Sequence, residues 1–262
     1  MHFAIVITLS AFLIFLVQPL IAKQILPWFG GSAAVWTTCM VFFQTALLAG
    51  YAYADWAPRR FGLRRQARIH AVLVALSVIA LPIVVSSHWK PDDGSGAILR
   101  ILALLAATIG LPYVVLSATS PLVQTWFARV HPHRDPYRLF ALSNTASLAA
   151  LLCYPFLVEP RLILRDQAWG WSSLYVVFVV LMIALAVRVS RSAESAEAAA
   201  SPAGPPDAAL AAPPAATSQL WWLILAGTAS ALLLAVTNHV TENIASVPLL
   251  WLLPLTIYLL TF

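Results

Sequence analysis

Charge is what this 262-residue chain has least of. Asp, Glu, Lys and Arg together make up 10% of it, against 61% hydrophobic residues. A soluble domain of this length needs roughly a quarter of its residues charged to cover its surface. The composition therefore fits lipid as the solvent and excludes a soluble globular enzyme. Cysteine is nearly absent: Cys39 and Cys153 both sit inside apolar runs. That placement argues against a disulfide framework or a zinc site and predicts packed free thiols. Only ten residues are acidic, and none falls in the middle of an apolar run; Asp55, Glu159 and Glu242 come closest, near run ends. Gly-rich phosphate loops, a G-x-S-x-G elbow and metal-ligand spacings are missing too. No catalytic residue, metal or cofactor is expected. The first apolar run has neither a cationic leader nor a small-x-small cleavage site before Lys23, so it reads as a retained span.

What the chain does have is apolar length. A bilayer crossing takes about 20 mostly apolar residues, and eight runs qualify: 3–22, 33–54, 69–87, 98–118, 139–157, 171–188, 219–236 and 247–262. The expected fold is all-α and polytopic, with a six-helix transmembrane domain over 1–189 and two further helices over 219–262. Between them, residues 190–218 are rich in Ala, Pro, Ser and Glu without apolar periodicity, the composition of a disordered linker. Trp28, Trp36, Trp56, Trp89, Trp126, Trp169, Trp171, Trp221 and Trp222 mostly fall near span ends, as an interfacial belt requires.

The cations sort by side. Arg59, Arg60, Arg64, Arg65, Arg68, Arg129, Arg134, Arg138, Arg188 and Arg191 fall on one side of the alternating spans, ten in all. Lys23, Lys90, Arg100, Arg161 and Arg165 fall on the other, five in all. The positive-inside rule then places the N-terminus, the arginine loops and the linker in the cytoplasm. The net charge of +5 is accounted for by topology, and no nucleic-acid partner is expected. A faint internal echo joins Pro19-Leu20-Ile21 before Trp28-Phe29 to Pro121-Leu122-Val123 before Trp126-Phe127. It would relate two helix triplets as an inverted repeat of the major-facilitator type.

Polar groups within lipid are costly and are functional candidates by default. Gln18, Gln44 and Asn144 fall within the first, second and fifth spans, Ser120 and Gln124 lie at the end of the fourth, and Asn238, His239 and Glu242 follow the seventh. Gln18-Pro19 and Ser120-Pro121 mark helix breaks of the kind that line substrate cavities. The competing reading is adhesion, since Ser, Thr, Asn and Gln hydrogen-bond between helices for roughly a kcal/mol. Small-xxx-small pairs such as Ser143/Ser147, Ala146/Ala150 and Gly227/Ala231 serve the same end. His239 and Glu242, three apart, would share a helical face as an interfacial pair.

Three stretches, FLVQPLIAKQILPWFGGSAAVWTTCMVFFQTALLAGYAYA (15–54), YRLFALSNTASLAALLCYPFLVEP (137–160) and TNHVTENIASVPLLWLLPLTIYLLTF (237–262), resemble the membrane region of the fused major-facilitator/spermidine-synthase-like family. In that family a cytoplasmic spermidine-synthase-like domain follows the membrane helices. The resemblance implies a transporter-like module for polyamines or related small cationic metabolites in a bacterial inner membrane, without the synthase domain's catalytic residues. The alternative is an anchor that holds such a domain and transports nothing. In the first stretch, Gln18-Pro19 is expected to end the first span, Pro27 to Gly31 to turn, and Lys23 to snorkel to outer headgroups. Reporter fusions are expected to place the 59–68 loop and the 190–218 linker in the cytoplasm; a periplasmic signal at either would reverse this topology.

Overall fold

The computed structural model describes residues 1–90, 96–132, 134–199 and 215–243, together with Pro254, Thr256 and Ile257. Among these residues there is no strand. Eight helices follow one another: α1 (His2–Phe29), α2 (Ala33–Arg60), α3 (Leu63–Ser77), α4 (Ala97–Leu105), α5 (Leu111–Val130), α6 (Tyr137–Cys153), α7 (Leu164–Ala199) and α8 (Ala216–Asn243). A π turn over Ala106–Gly110 fuses α4 and α5 into one run, and a second, Tyr154–Val158, extends α6. Six of the resulting helices are long and apolar enough to cross a membrane, and the chain is an all-α, multi-pass architecture. Most of the predicted eighth span lies outside the described residues. The chain divides into two units, Met1–Glu197 and Ala198–Phe262. Residues 190–199 of the predicted linker continue α7, as the helix propensity of Ala and Glu favours, and residues 200–214 of it lie outside the described residues.

Gln18-Pro19 does not end the first helix. α1 runs through both Pro19 and Pro27 to Phe29. A proline removes one hydrogen bond, whereas stopping in mid-membrane would strand the last four carbonyls with no water to bond them. Continuing is the cheaper course. The turn comes at Gly30, whose φ of 78° suits a residue without Cβ, and the Ser32 hydroxyl accepts the Val35 N–H to start α2.

The predicted third span is the one that breaks. α3 ends in a 3-10 turn at Val78–Ala80, and residues 81–86 then follow without regular secondary structure. Pro82 has no N–H and pushes Leu81 out of the helical region. Other parts of the chain replace the lost ladder. Leu81 N–H bonds the Val78 carbonyl at 3.0 Å and Val84 N–H the Pro82 carbonyl at 2.7 Å. Ile83 N–H donates to the Ser172 hydroxyl at 3.2 Å. The Gln24 amide holds the rest, accepting from Val85 N–H at 3.0 Å and donating to the Ile83 carbonyl at 3.2 Å. Non-helical backbone survives at such depth only where protein satisfies it; here α1 and α7 do so.

In the first unit α1 packs against α5 and α6, and α5 packs against α1 and α2. Numbered as spans, the first lies on the fourth and fifth, and the fourth on the first and second. The predicted inverted repeat of two triplets would give the same exchange of partners. The α2–α5 crossing is close: a Cβ on Gly50 would stand 2.5 Å from the Ser117 Cβ and 2.7 Å from the Val114 carbonyl oxygen. On α6 the buried Ala146, Ser147 and Ala150 face the bundle, while a Cβ on Gly227 of α8 would meet nothing within 4 Å among the described residues. Trp126 and Trp171 are core residues rather than belt residues. Trp171 donates its indole N–H to the Leu13 carbonyl at 3.0 Å and stacks on Tyr175, whose hydroxyl meets Ser77 at 2.6 Å.

Two ion pairs mark the ends of the bundle. Arg64 at the start of α3 binds Glu194 of α7 at 2.9 Å. Lys23 does not snorkel freely; it pairs with Glu159, which follows α6. The first pair joins the arginine-rich ends and the second the opposite ends, so the alternation of directions holds. Gly50→Ala is expected to push α2 off α5 and destabilise the unit by about 1–3 kcal/mol, read as a lower unfolding temperature in detergent; an unchanged value would refute the close approach.

Candidate functional site

The site grows from the crossing of α1 and α5. Gln18 lies 16 residues into α1 and Tyr113 17 residues from the end of α5, each about 25 Å from the arginine-rich end at 1.5 Å per residue. That height is near the middle of a bilayer. The Gln18 amide donates to the Tyr113 hydroxyl at 3.0 Å. Each partner adjoins a helix irregularity: Pro19 follows Gln18, and the π turn and Pro112 precede Tyr113. Single π turns of this kind recur at functional sites. Tyr113 is 1% exposed and packs on Phe43 of α2, ring centroids 5.0 Å apart, while Phe42 meets Phe43 edge-on. An amide, a phenol and two phenyl rings thus come together where α1, α2 and α5 meet.

Most hydroxyls nearby are committed to their own helices. Ser117 donates to the Tyr113 carbonyl at 2.7 Å, Thr119 to Val115 at 2.8 Å and Thr125 to Pro121 at 2.9 Å. Bonds of this i−4 kind leave little for a ligand. Ser120 differs, its hydroxyl accepting from the Gln124 amide at 3.1 Å. Gln124, six residues from the end of α5, and Asn144, seven from the start of α6, form a lower tier about 10 Å from the arginine-rich end. The Asn144 Nδ2 is buried with no hydrogen-bond partner among the described residues. The predicted residues of this unit therefore fall into two tiers, Gln18 above and Ser120, Gln124 and Asn144 below. Gln44 joins neither, since it is exposed on α2. Asn238, His239 and Glu242 occupy the end of α8 in the second unit, and the side chains of Asn238 and Glu242 lie outside the described residues.

A third polar group went unpredicted. His70 of α3 is wholly buried, with its ring stacked on Tyr53 of α2 at 5.8 Å and edge-on to Trp126 of α5 at 5.9 Å. Trp126 donates its indole N–H to Gln66 at 3.3 Å, and Gln66 in turn donates to the Phe61 carbonyl. Both imidazole nitrogens and the Tyr53 hydroxyl have no hydrogen-bond partner among the described residues. Leaving such groups unmet costs on the order of 1–3 kcal/mol each, so the cluster stores polarity that stability alone does not favour. The signal was in the sequence: a histidine inside an apolar run is a functional candidate by composition. It stands at the second position of the predicted third span and was not marked as a candidate. Gln24, Tyr113 and Ser172 were likewise unmarked, because their partners lie 59 to 95 residues away.

Replacing a buried, unpartnered ring by an apolar one of similar shape removes the desolvation cost. His70→Phe is therefore expected to raise the unfolding temperature in detergent, and a drop of several degrees would refute the unmet state of the imidazole. No protein-family model matches the chain, and neither curated proteins nor solved structures yield a match.

Proposed function

We propose that this chain is the transporter-like membrane module of a spermidine-synthase-like fusion protein and handles polyamines or related small cationic metabolites. It sits in a bacterial inner membrane with its N-terminus, the α2–α3 turn with its flanking arginines and its linker on the cytoplasmic side. Aminopropyl transfer belongs to a domain outside this chain. The observation that supports the reading most is the Gln18–Tyr113 contact near mid-membrane, bracketed by Pro19 on one helix and by the π turn and Pro112 on the other. Transporter sites lie at that depth, between repeats, on helices with broken regularity. The exchange of packing partners between the two triplets is of the same kind. Phe43 and Tyr113 offer ring faces to an ammonium group, a substitute for carboxylates that the middle of the spans lacks.

A second reading, an anchor that transports nothing, draws on a specific observation as well. The hydroxyls of α5 close on their own backbone and Gln44 stands apart from the crossing, which is how dry packing looks. Flux decides between the two. In proteoliposomes of the full chain, saturable uptake of labelled putrescine or spermidine is expected, reduced about tenfold by Gln18→Leu through the loss of one buried hydrogen bond. Tyr113→Phe keeps the ring and is expected to reduce uptake less. Absence of any uptake or efflux would leave the anchor.

A further inference from the structure

We propose that the groove between α1, α6 and α7 is a binding site for one acyl chain of an anionic glycerophospholipid, whose phosphate is held by Arg138 and Arg188. The groove has a volume of about 590 Å³, with Thr8 and Phe12 of α1, Leu142 and Ala149 of α6, and Val177 and Leu181 of α7 on its walls. Its polar atoms are spent. Thr8 donates to the Ala4 carbonyl at 2.8 Å and Thr145 to the Ala141 carbonyl at 2.9 Å, so its occupant is hydrocarbon. Small side chains at Ala4, Ala146 and Ala149 hollow the surface where larger ones would fill it.

Charge at one end selects the lipid. Arg138 is one turn before Leu142, on the same face of α6, and Arg188 is two turns past Leu181 on the same face of α7. Both walls therefore end in a guanidinium at the arginine-rich end. Both arginines are exposed, and among the described residues neither forms an ion pair. From Arg138 to Ala149 α6 rises about 16 Å, close to the roughly 15 Å thickness of one hydrocarbon leaflet. A headgroup phosphate at the arginines thus leaves its chain the whole length of the groove. Arginine suits the task because its planar fork binds two phosphate oxygens at once. Basic pockets between membrane helices hold anionic headgroups in this way. The inference does not depend on whether the module transports.

The test uses the full chain in nanodiscs of phosphatidylcholine with and without phosphatidylglycerol, with retained lipid read by native mass spectrometry. One phosphatidylglycerol per chain is expected to survive in preference to phosphatidylcholine. At about fivefold per arginine, R138Q/R188Q is expected to cut that preference about 25-fold. Filling the groove with Ala149→Phe is expected to abolish retention of either lipid; Val177→Trp, at a position 49% exposed, is the second filler should the first disturb folding. Equal retention of the two lipids overturns the proposal. So does a preference that survives R138Q/R188Q, or retention in both filled variants. Cross-linking of Thr145→Cys chains into dimers, with a yield unaffected by phosphatidylglycerol, would assign the groove to a second copy and overturn it too.

Discussion

Inside hydrocarbon no water completes an unfinished backbone hydrogen bond, and that constraint shapes this chain more than any single contact. It carries α1 through two prolines that would end a helix in water. It explains why the short break after α3 recruits a glutamine from one helix and a serine from another. It also explains why so many hydroxyls turn back on their own carbonyls. Side chains are left to choose partners only after the backbone is satisfied. The polar groups that do reach across helices are few, and they stand out for that reason: Gln18 to Tyr113, Trp126 to Gln66, Trp171 to Leu13 and Tyr175 to Ser77.

The energetics of the two ends differ from those of the middle. Arg59–Asp55 is largely exposed and Arg64–Glu194 partly so, and each contributes little. Lys23–Glu159 is more sheltered and bridges α1 to the π-extended end of α6, two helices that already pack along their length. These pairs therefore fix which ends meet rather than how strongly the helices hold together. Cohesion comes from close packing without a hydrophobic driving force between helices. The small residues carry it, Gly50 against Ser117 above all.

The all-helical class and the alternating directions of the helices in the first unit were legible because hydropathy reports apolar runs locally. Five of the first six predicted spans correspond to full-length helices. The third does not, because a window average passes over Pro82, whose effect depends on one missing N–H. The polar layer near mid-membrane was half legible. Gln18 was visible as an amide in an apolar run, but its partner is a tyrosine, a residue that composition files with the aromatics. Gln44 looked equivalent to Gln18 in the sequence and turned out to face away, since which side of α2 is inward is settled by the glycine contact and not by polarity. His70 was lost to a boundary placed a few residues late. Long-range pairing hid the Tyr113 partner of Gln18, whereas Pro82 and the boundary before His70 are local features.

The narrow crossing of α2 and α5 has a mechanical meaning. Gly50 and Ser117 lie roughly 15–20 Å from the arginine-rich end, with the Gln18–Tyr113 contact above them and the Tyr53–His70 stack below. At that level α2 presents no side chain that could yield, so Gly50 lies directly against Ser117 and the α5 backbone and any closer approach of the two helices is blocked there.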